Sequence, residues 1–276
     1  MKFTKMQGLG NDYIYVDCMK ETVENPSEVA IKVSDRHFGV GSDGLILVKA
    51  SDVADYRMEI YNADGSVAEM CGNGIRCVGK FLHDNGYVKS DSVSIETGAG
   101  VKLLKLIIDD NGVCVGARVD MGEPILEPSR IPVRSTSERV VDEELKVGGK
   151  KYHITCVSMG NPHAVVFVDD IDSLNLEIIG PLFENNPVFP ARINTEFVKI
   201  VDKNTVNMRV WERGSGETMA CGTGACAVVV ASVLNKHCDR NVTVNLRGGS
   251  LKINWDEKTN RVFMEGPATT VCKGEY

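Results

Sequence analysis

The chain has 276 residues, of which 43% are hydrophobic and 25% are charged, and its formal net charge is −7. This composition is typical of a globular protein with one large or two medium domains, and it is too apolar for a disordered chain. The sequence shows no apolar run of membrane-spanning length, no apolar signal segment near the amino terminus and no block of lysine and arginine. We therefore expect a cytoplasmic protein whose partner is neither a membrane nor a nucleic acid.

Hydrophobic patterning predicts an α+β fold that is rich in strands and has few helices. The predicted strands are, in chain order, 13–17, 45–50, 56–61, 93–96, 102–108, 113–119, 154–158, 165–168, 197–201, 206–211, 242–246, 251–254 and 262–265. The predicted helices are 26–38, 73–85, 175–184 and 223–237. Pro26 suits a first helical turn, and Gly86 suits a helix end. The segment 225–234 is apolar on every side; its run of valines also suits a strand, but the preceding Gly-x-Gly turn favours an enclosed helix.

A shift of the sequence by 150 residues, without gaps, reveals an internal repeat. It places Gly10-Asn11 on Gly160-Asn161, and Cys71-Gly72-Asn73-Gly74 on Cys221-Gly222-Thr223-Gly224. Strand, loop, cysteine and following helix keep one register, which makes chance similarity of two glycine turns a poor explanation. We predict two related domains that face each other, one formed by 1–121 with the tail 266–276 and the other by 122–265.

The chain contains nine cysteines, which we expect to be reduced thiols because no export signal is visible. Cys71 and Cys221 each precede a predicted helix, where unpaired amides and the helix dipole are expected to lower a thiol pKa from about 8.5. The adjacent glycines leave those amides accessible to a carboxylate or a phosphate. The remaining cysteines are predicted to be core or incidental, namely Cys18, Cys77, Cys114, Cys156, Cys226, Cys238 and Cys272.

Two such sites suit the removal of an α-proton from an amino acid and its return on the opposite face. One thiolate acts as the base and one thiol as the acid, and they exchange roles in the reverse direction. Two helix starts would hold the α-carboxylate and stabilise the carbanion, so the scheme requires no cofactor and no metal. We predict Cys71 and Cys221 as this pair.

Metal binding and thiol redox sensing are the alternatives from other classes. Cys71 with Cys77, and Cys221 with Cys226, offer pairs of thiols to a metal, but their spacings C-x5-C and C-x4-C depart from zinc patterns. A thiol redox protein is expected to carry C-x-x-C, which is absent. The segment 222–227 matches G-x-G-x-x-A formally, but no strand is predicted directly before it, as a dinucleotide site requires.

Several motifs together resemble those of diaminopimelate epimerases, in order over nearly the whole chain. They are Gly8-Leu9-Gly10-Asn11-Asp12, Tyr61-Asn62-Ala63-Asp64-Gly65-Ser66, Met70-Cys71-Gly72-Asn73-Gly74-Ile75-Arg76-Cys77, Gly160-Asn161-Pro162-His163, and Glu212-Arg213-Gly214-Ser215-Gly216-Glu217-Thr218 followed by Cys221-Gly222-Thr223-Gly224. Cys-Gly-x-Gly alone is shared with proline racemases, whereas the full set is specific to this family. A proline or hydroxyproline epimerase, with the same chemistry and another substrate, is the alternative within this class.

The resemblance implies interconversion of LL- and meso-diaminopimelate without pyridoxal phosphate, in the synthesis of lysine and of peptidoglycan precursors. It implies two pseudo-symmetric domains, each a mostly antiparallel β-sheet or barrel around a central helix, and a homodimer. The resemblance implies Cys71 and Cys221 as acid and base, with the reacting carboxylate bound by Gly72, Asn73, Gly222 and Thr223. It implies that the distal end of the substrate is bound by Asn62, Asn161, Asn194 and Arg213, with Asn11 lining the same pocket. It also implies that His163 and Glu212 adjust the pKa values of the two thiols and that Glu212 contacts the substrate. Gly44 stands where some members carry a ligand-facing glutamine, so it is not included.

Overall fold

The computed structural model describes residues 1–276 and contains two compact units. The first unit is Met1–Asp120 with Glu265–Tyr276, and the second unit is Met121–Met264. The elements are, in chain order, β1 (Lys2–Gly8), β2 (Asn11–Asp17), α1 (Pro26–Ser34), β3 (Gly44–Ala50), β4 (Tyr56–Asn62), β5 (Val67–Ala68), α2 (Gly72–Asp84), β6 (Ser92–Thr97), β7 (Gly100–Ile108), β8 (Cys114–Gly122), a 3-10 turn (Pro128–Arg130), β9 (Glu143–Val147), β10 (Lys150–Ser158), β11 (Pro162–Phe167), α3 (Leu176–Glu184), β12 (Asn194–Asp202), β13 (Thr205–Glu212), β14 (Gly216–Glu217), α4 (Gly222–Leu234), β15 (Asn241–Leu246), β16 (Gly249–Trp255), β17 (Val262–Pro267) and β18 (Thr269–Glu275). None of the helices combines the length and the apolar composition that crossing a membrane requires.

The first unit is a sheet that surrounds one helix. Its strands pair in the order β18–β1–β2–β3–β4–β6–β7–β8, and β5 lies beside β4. The pairs β2–β3 and β4–β6 are parallel, and the others are antiparallel. The amide of Ala268, just before β18, donates to the carbonyl oxygen of Val115 in β8 at 3.1 Å, which connects the two ends of this strand order. Helix α2 is buried from Gly72 to Leu82 and packs against β1, β2 and β7.

The second unit repeats this connectivity. Its strands pair in the order β9–β10–β11–β12–β13–β15–β16, β14 lies beside β13, and the pairs β11–β12 and β13–β15 are parallel. Helix α4, like α2, begins directly after its cysteine, and it packs against β10, β11, β12, β15 and β16. Val228, Val229 and Val230 of α4 are fully buried, which explains why this stretch of helix can be apolar on every side. The predicted α+β class, with a helix at the centre of each mostly antiparallel sheet, is confirmed.

Helix α1 is shorter than the sequence pattern predicts. It begins at Pro26 as expected but ends at Ser34, whereas the prediction extended to residue 38. The Oδ1 of Asp35 accepts the amides of His37 at 2.7 Å and Phe38 at 2.8 Å, and this local turn competes with helix continuation. Five strands were not predicted, namely β1, β9, β18 and the two-residue strands β5 and β14. Strand β18 is almost wholly exposed, so it lacks a buried face that would show in the sequence.

Candidate active site

Cys71 occupies the N-cap of α2. Its backbone is extended, with φ −137° and ψ 111°, and its Sγ accepts the amide hydrogen of Gly74 at 3.2 Å. The thiol also lies 3.3 Å from Oδ1 of Asn11, to which it donates. The sulfur is partly exposed, while the next residues, Gly72 and Asn73, are buried. The sequence pattern therefore brings Asn11 to the sulfur, as expected for residues that line one pocket.

Asn11 is held in this position by a chain of charged side chains. Its Nδ2 donates to Asp43 Oδ2 at 2.8 Å, and Asp43 pairs with Arg36 at 2.9 Å. Arg36 also pairs with Asp12, the residue after Asn11, at 2.8 Å. Because the Asn11 amide nitrogen is directed at Asp43, its oxygen faces the thiol. Asn62 lies at the end of β4, where its Nδ2 donates to Ser66 Oγ at 3.0 Å.

Arg76 supports the start of α2 and was not among the predicted site residues. Its side chain is fully buried, and it donates to Gly72 O and Asn73 Oδ1, both at 3.0 Å, and to Pro267 O at 3.1 Å. A buried guanidinium needs such acceptors to offset the loss of its hydration. The consequence is that the carboxamide oxygen of Asn73 is directed at Arg76. An arginine between the apolar residues Ile75 and Cys77 of a predicted buried helix was the signal that could have identified it.

Cys221 occupies the N-cap of α4 in a similar backbone conformation, with φ −116° and ψ 111°. Its Sγ accepts the amide hydrogen of Gly224 at 3.4 Å, and the hydroxyl of Thr223 lies 3.5 Å away. Unlike Cys71, this cysteine is buried. Each unit thus directs one sulfur onto the amide three residues later, and the first turn of the following helix supplies amides without partners inside the helix.

Close to Cys221, a network of polar contacts connects the buried side chains of His163 and Glu196 with the partly exposed Asn161. His163 is fully buried; its Nδ1 lies 2.7 Å from Glu196 Oε1 and its Nε2 lies 3.0 Å from Asn161 Oδ1. Glu196 was not predicted to belong to the site. It lies against the helix start, since a Cβ placed on Gly224 would come within 2.6 Å of its Oε1 and 3.2 Å of the Cys221 sulfur.

Glu212 is the last residue of β13, and the exposed Arg213 begins the turn that follows. Asn194 holds the backbone of this turn, because its Oδ1 accepts the Arg213 amide at 2.8 Å while its Nδ2 donates to Pro162 O at 2.8 Å. The Arg213 guanidinium donates to Ala191 O at 2.9 Å, and the Glu212 carboxylate accepts the hydroxyl of Thr218. Asn194 and Arg213 therefore belong to one hydrogen-bonded arrangement.

Glu184 of α3 supports the same turn and also was not predicted. Its carboxylate is buried and accepts the amide of Gly214 at 3.0 Å and the indole N–H of Trp211 at 2.8 Å, on either side of Glu212 and Arg213. Arg192 completes the carboxylate's contacts at 3.0 Å. A buried carboxylate that accepts hydrogen bonds from three donors is stable, and it fixes the position of the turn.

The electrostatic environment of Cys221 differs from the sequence-based prediction. Burial raises the pKa of its thiol well above the ordinary value, and the carboxylates of Glu212 and Glu196 raise it further. The Thr223 hydroxyl and the Gly224 amide lower this pKa, as expected at a helix start, but they are outweighed. The prediction of a lowered pKa is therefore wrong for Cys221. Burial also raises the pKa of Glu212, against the opposing effects of Thr218 and His163.

The other seven cysteines differ in how far they are exposed to solvent. Most of these cysteines are buried, Cys18 is partly buried and Cys272 is exposed. Burial raises the pKa of Cys77 to about 11, which disfavours its thiolate at neutral pH. No group of three His, Cys, Asp or Glu side chains is arranged to hold a metal ion.

Comparison with known proteins shows which family this arrangement belongs to. The family model "Diaminopimelate epimerase" matches residues 3–127 and 155–271. A diaminopimelate epimerase from Acetivibrio thermocellus is 58% identical over 275 residues, covering 100% of this chain and 98% of that protein. The chain belongs to the diaminopimelate epimerase family. A diaminopimelate epimerase from Methanococcus maripaludis is 57% identical, covering 100% of this chain and 99% of that protein.

More distant solved structures share the fold of this family. A probable proline racemase from Agrobacterium radiobacter superposes with a TM-score of 0.71 at 14% identity, covering 100% of this chain and 92% of that one. A phenazine biosynthesis protein of Bacillus anthracis gives a TM-score of 0.68 at 20% identity, covering 100% and 98%. These structures support the diaminopimelate epimerase fold, while the substrate has to be argued from the site.

Proposed function

We propose that this chain is an isomerase that interconverts LL- and meso-diaminopimelate, a small-molecule substrate, in the synthesis of lysine and of peptidoglycan precursors. The observation that carries the proposal is the repeated cysteine at the start of a central helix, in a chain that belongs to the diaminopimelate epimerase family. In each unit the sulfur accepts a helix-start amide, at 3.2 Å for Cys71 and 3.4 Å for Cys221.

In the proposed reaction the two sulfurs act on opposite faces of one α-carbon. A thiolate removes the α-proton and becomes a thiol, and the electron pair of the C–H bond remains on the substrate as a carbanion. The other thiol donates its proton to the opposite face and becomes a thiolate, so the configuration inverts without net oxidation or reduction. Burial and two carboxylates raise the pKa of Cys221, so its thiol form is favoured before substrate binds.

The amides of the two helix starts suit the reacting end of the substrate. Helix-start N–H groups bind carboxylates, and they gain further energy when negative charge develops on that carboxylate in the carbanion. We assign this role to the backbone at Gly72, Asn73, Gly222 and Thr223. Gly222 and Gly224 carry no side chain that would cover these groups, and the buried Arg76 keeps the Asn73 carboxamide in place.

The distal amino-acid end needs polar groups of its own. We assign this recognition to Asn62, Asn161, Asn194 and Arg213, with Asn11 beside Cys71, and to Glu212 as a contact that also influences the thiol. A guanidinium binds a carboxylate with two parallel hydrogen bonds. A substrate without the second carboxylate would leave these groups unpaired, which explains selection against mono-amino acids.

We also propose a homodimer that acts in the cytoplasm without nucleic acid or membrane. Exposed apolar side chains on β7, β8 and β18 of the first unit support self-association, namely Val101, Leu103, Val115 and Val271. The nine cysteines form no disulfide, which suits a reducing compartment. Sedimentation equilibrium of the reduced protein is expected to give twice the chain mass, and a single chain mass at micromolar concentration would contradict the dimer.

The decisive experiment is proton exchange in deuterium oxide under reducing conditions. Incubation of the enzyme with LL-diaminopimelate is expected to place deuterium at one α-carbon for each inversion, which NMR and mass spectrometry detect. L-proline and trans-4-hydroxy-L-proline serve as parallel substrates. Exchange with proline but not with diaminopimelate would favour the alternative epimerase, and exchange with none of them would contradict the proposed chemistry.

A further inference from the structure

Glu196 occupies a position where the other half of the repeat has an apolar residue. The shift by 150 residues places Ile46 on Glu196 and Tyr13 on His163. The strands keep the same parallel register, with Ile14 opposite Leu45 in the first unit and the equivalent pair in the second. A Cβ placed on Gly74 would lie 2.8 Å from Ile46 Cδ1, just as one on Gly224 would lie 2.6 Å from Glu196 Oε1. Ile46 and Glu196 therefore occupy equivalent positions beside Cys71 and Cys221, but only Glu196 carries a charge.

The carboxylate of Glu196 is costly for the fold. The residue has no exposed surface, its Oε1 contacts His163 and its Oε2 has no hydrogen-bond partner. A buried carboxylate with an unpaired oxygen destabilises a folded chain, and the repeat shows that isoleucine fits the equivalent place. A buried group that stability does not favour points to a role in function.

We propose that Glu196 is a positioning residue for the reaction at Cys221, acting through His163; this inference rests on the proposed function. A carboxylate can only accept, so the Nδ1–H of His163 donates to Glu196 Oε1 at 2.7 Å. That bond fixes the plane of the imidazole ring. The Nε2 of His163 then lies 3.0 Å from Oδ1 of Asn161, a residue that we assign to substrate recognition. The same carboxylate places a negative charge next to the Cys221 sulfur.

The charged and polar groups that surround Cys221 define what removal of Glu196 should do. Glu212 faces the thiol from β13 and Glu196 from β12, and both raise its pKa after burial, while Thr223 and Gly224 of α4 lower it. His163 on β11 acts on Glu212, whose pKa it lowers. Removing the Glu196 charge leaves one carboxylate beside the sulfur, so the thiolate of Cys221 is expected to form at lower pH.

Three substitutions separate the hydrogen bond from the charge. Glu196→Gln removes the charge and keeps an acceptor for His163, whereas Glu196→Ile reproduces the first unit and removes both. Thr195→Val is the matched control, because Thr195 is the preceding residue of β12, is fully buried, and has a hydroxyl without a hydrogen-bond partner. Each full-length variant is assayed for kcat and KM with LL-diaminopimelate, for thermal unfolding, and for the pH dependence of Cys221 alkylation by iodoacetamide, followed by peptide mass spectrometry.

We expect Glu196→Ile to lose about 10-fold or more in kcat/KM, by analogy with the roughly 10- to 100-fold loss caused by removing the partner that orients a metal-bound histidine. Its unfolding temperature should fall, because the buried Nδ1 of His163 loses its partner, whereas in a His163→Ala background the same substitution should raise the unfolding temperature or leave it unchanged. Glu196→Gln should retain most of the activity, and both variants should shift Cys221 alkylation to lower pH. Thr195→Val should leave activity and alkylation unchanged.

A double-mutant cycle tests whether the effect passes through His163. In a His163→Ala background, Glu196→Ile should cause little further loss of kcat/KM, because the bond is already absent. Full additivity would overturn the inference, as would parent-like kcat/KM and alkylation in Glu196→Ile. If the parent enzyme exchanges no α-proton of diaminopimelate, the proposed function fails instead, while the alkylation profiles still report whether Glu196 acts on Cys221.

Discussion

The two helix starts have a common backbone and different chemical surroundings. In the first unit Tyr13 and Ile46 occupy the positions behind Cys71, and burial raises the pKa of the Tyr13 phenol far above its ordinary range, so this side chain is neutral. In the second unit the equivalent positions hold His163 and Glu196, which are 2.7 Å apart. A repeat has thus kept its geometry and changed its charges, and in the proposed mechanism these surroundings distinguish the two acid–base groups.

The turns that precede α2 and α4 also differ in charge. Asn62-Ala63 ends β4, whereas Glu212-Arg213 ends β13 in the equivalent place. The first turn carries the single charge of Asp64, which accepts the Ser66 hydroxyl within the turn. The second turn carries both Glu212 and Arg213, and its Arg213 and Gly214 amides donate to Asn194 and Glu184. We infer that the second unit contributes most of the charge recognition for the distal end of the substrate, while the first contributes neutral amides.

The largest expected effect comes from removing either sulfur. Cys71→Ala and Cys221→Ala should each reduce epimerisation by at least about 100-fold, because one proton-transfer group contributes roughly 10²–10⁴-fold. The measurement is the rate of conversion of LL- to meso-diaminopimelate by chiral chromatography. Cys272→Ala, which alters an exposed cysteine, is the control and should retain activity. Near-normal turnover in either variant would contradict the two-thiol mechanism.

Replacement of the charged turn residue should have the next largest effect. Arg213→Ala is expected to raise KM for diaminopimelate by roughly 10- to 100-fold, since a hydrogen bond to a charged group contributes about 1.5–3 kcal/mol. Arg134→Ala, at another exposed arginine of the second unit, should not change KM. If the loss appears in kcat with KM unchanged, Arg213 acts on the chemistry rather than on binding of the distal end.

The sequence predicted those elements well that have a contiguous local pattern. It predicted poorly those features of the site that depend on contacts between residues far apart in the chain. The repeat located both cysteine-bearing helices, because the glycine turn and the apolar run are contiguous. Glu196 was missed because a single acid near the start of a strand resembles a solvated residue, and only its contact with His163, distant in the chain, shows that it is buried. The Cys221 environment was misjudged for the same reason: the helix start is visible in the sequence, whereas Glu212 and Glu196 converge on the sulfur only in the folded chain.

Alanine substitutions of Gly74 and Gly224 compare the rigidity of the side chains that pack against the two helix starts. In Gly74→Ala the new methyl overlaps Ile46 Cδ1, the movable end of an apolar side chain, and the gain of roughly 0.5–1 kcal/mol from replacing a helical glycine offsets much of the cost. In Gly224→Ala it overlaps Glu196 Oε1, which His163 holds, so a net loss of about 1–3 kcal/mol is expected.

Urea unfolding of both alanine variants measures this difference as a shift in the transition midpoint. Shortening the obstructing side chain provides the control, since the combination of Gly224→Ala with Glu196→Ala should recover part of the loss. Equal destabilisation at the two glycines would show that the Glu196–His163 pair is no more rigid than Ile46.

The smallest effect we predict is a shift in pH, which separates the contributions to the Cys221 environment. A raised pKa means that less thiolate is present at a given pH, so alkylation of Cys221 should rise at higher pH than that of a free cysteine, whose pKa is about 8.5. Glu212→Gln removes one carboxylate and should move the alkylation curve to lower pH. Thr223→Val removes a hydroxyl that lowers the pKa and should move it to higher pH. Opposite shifts from these two neighbours would show that charge and hydrogen bonding, and not burial alone, distinguish this sulfur; if neither variant moves the curve, desolvation is the whole cause.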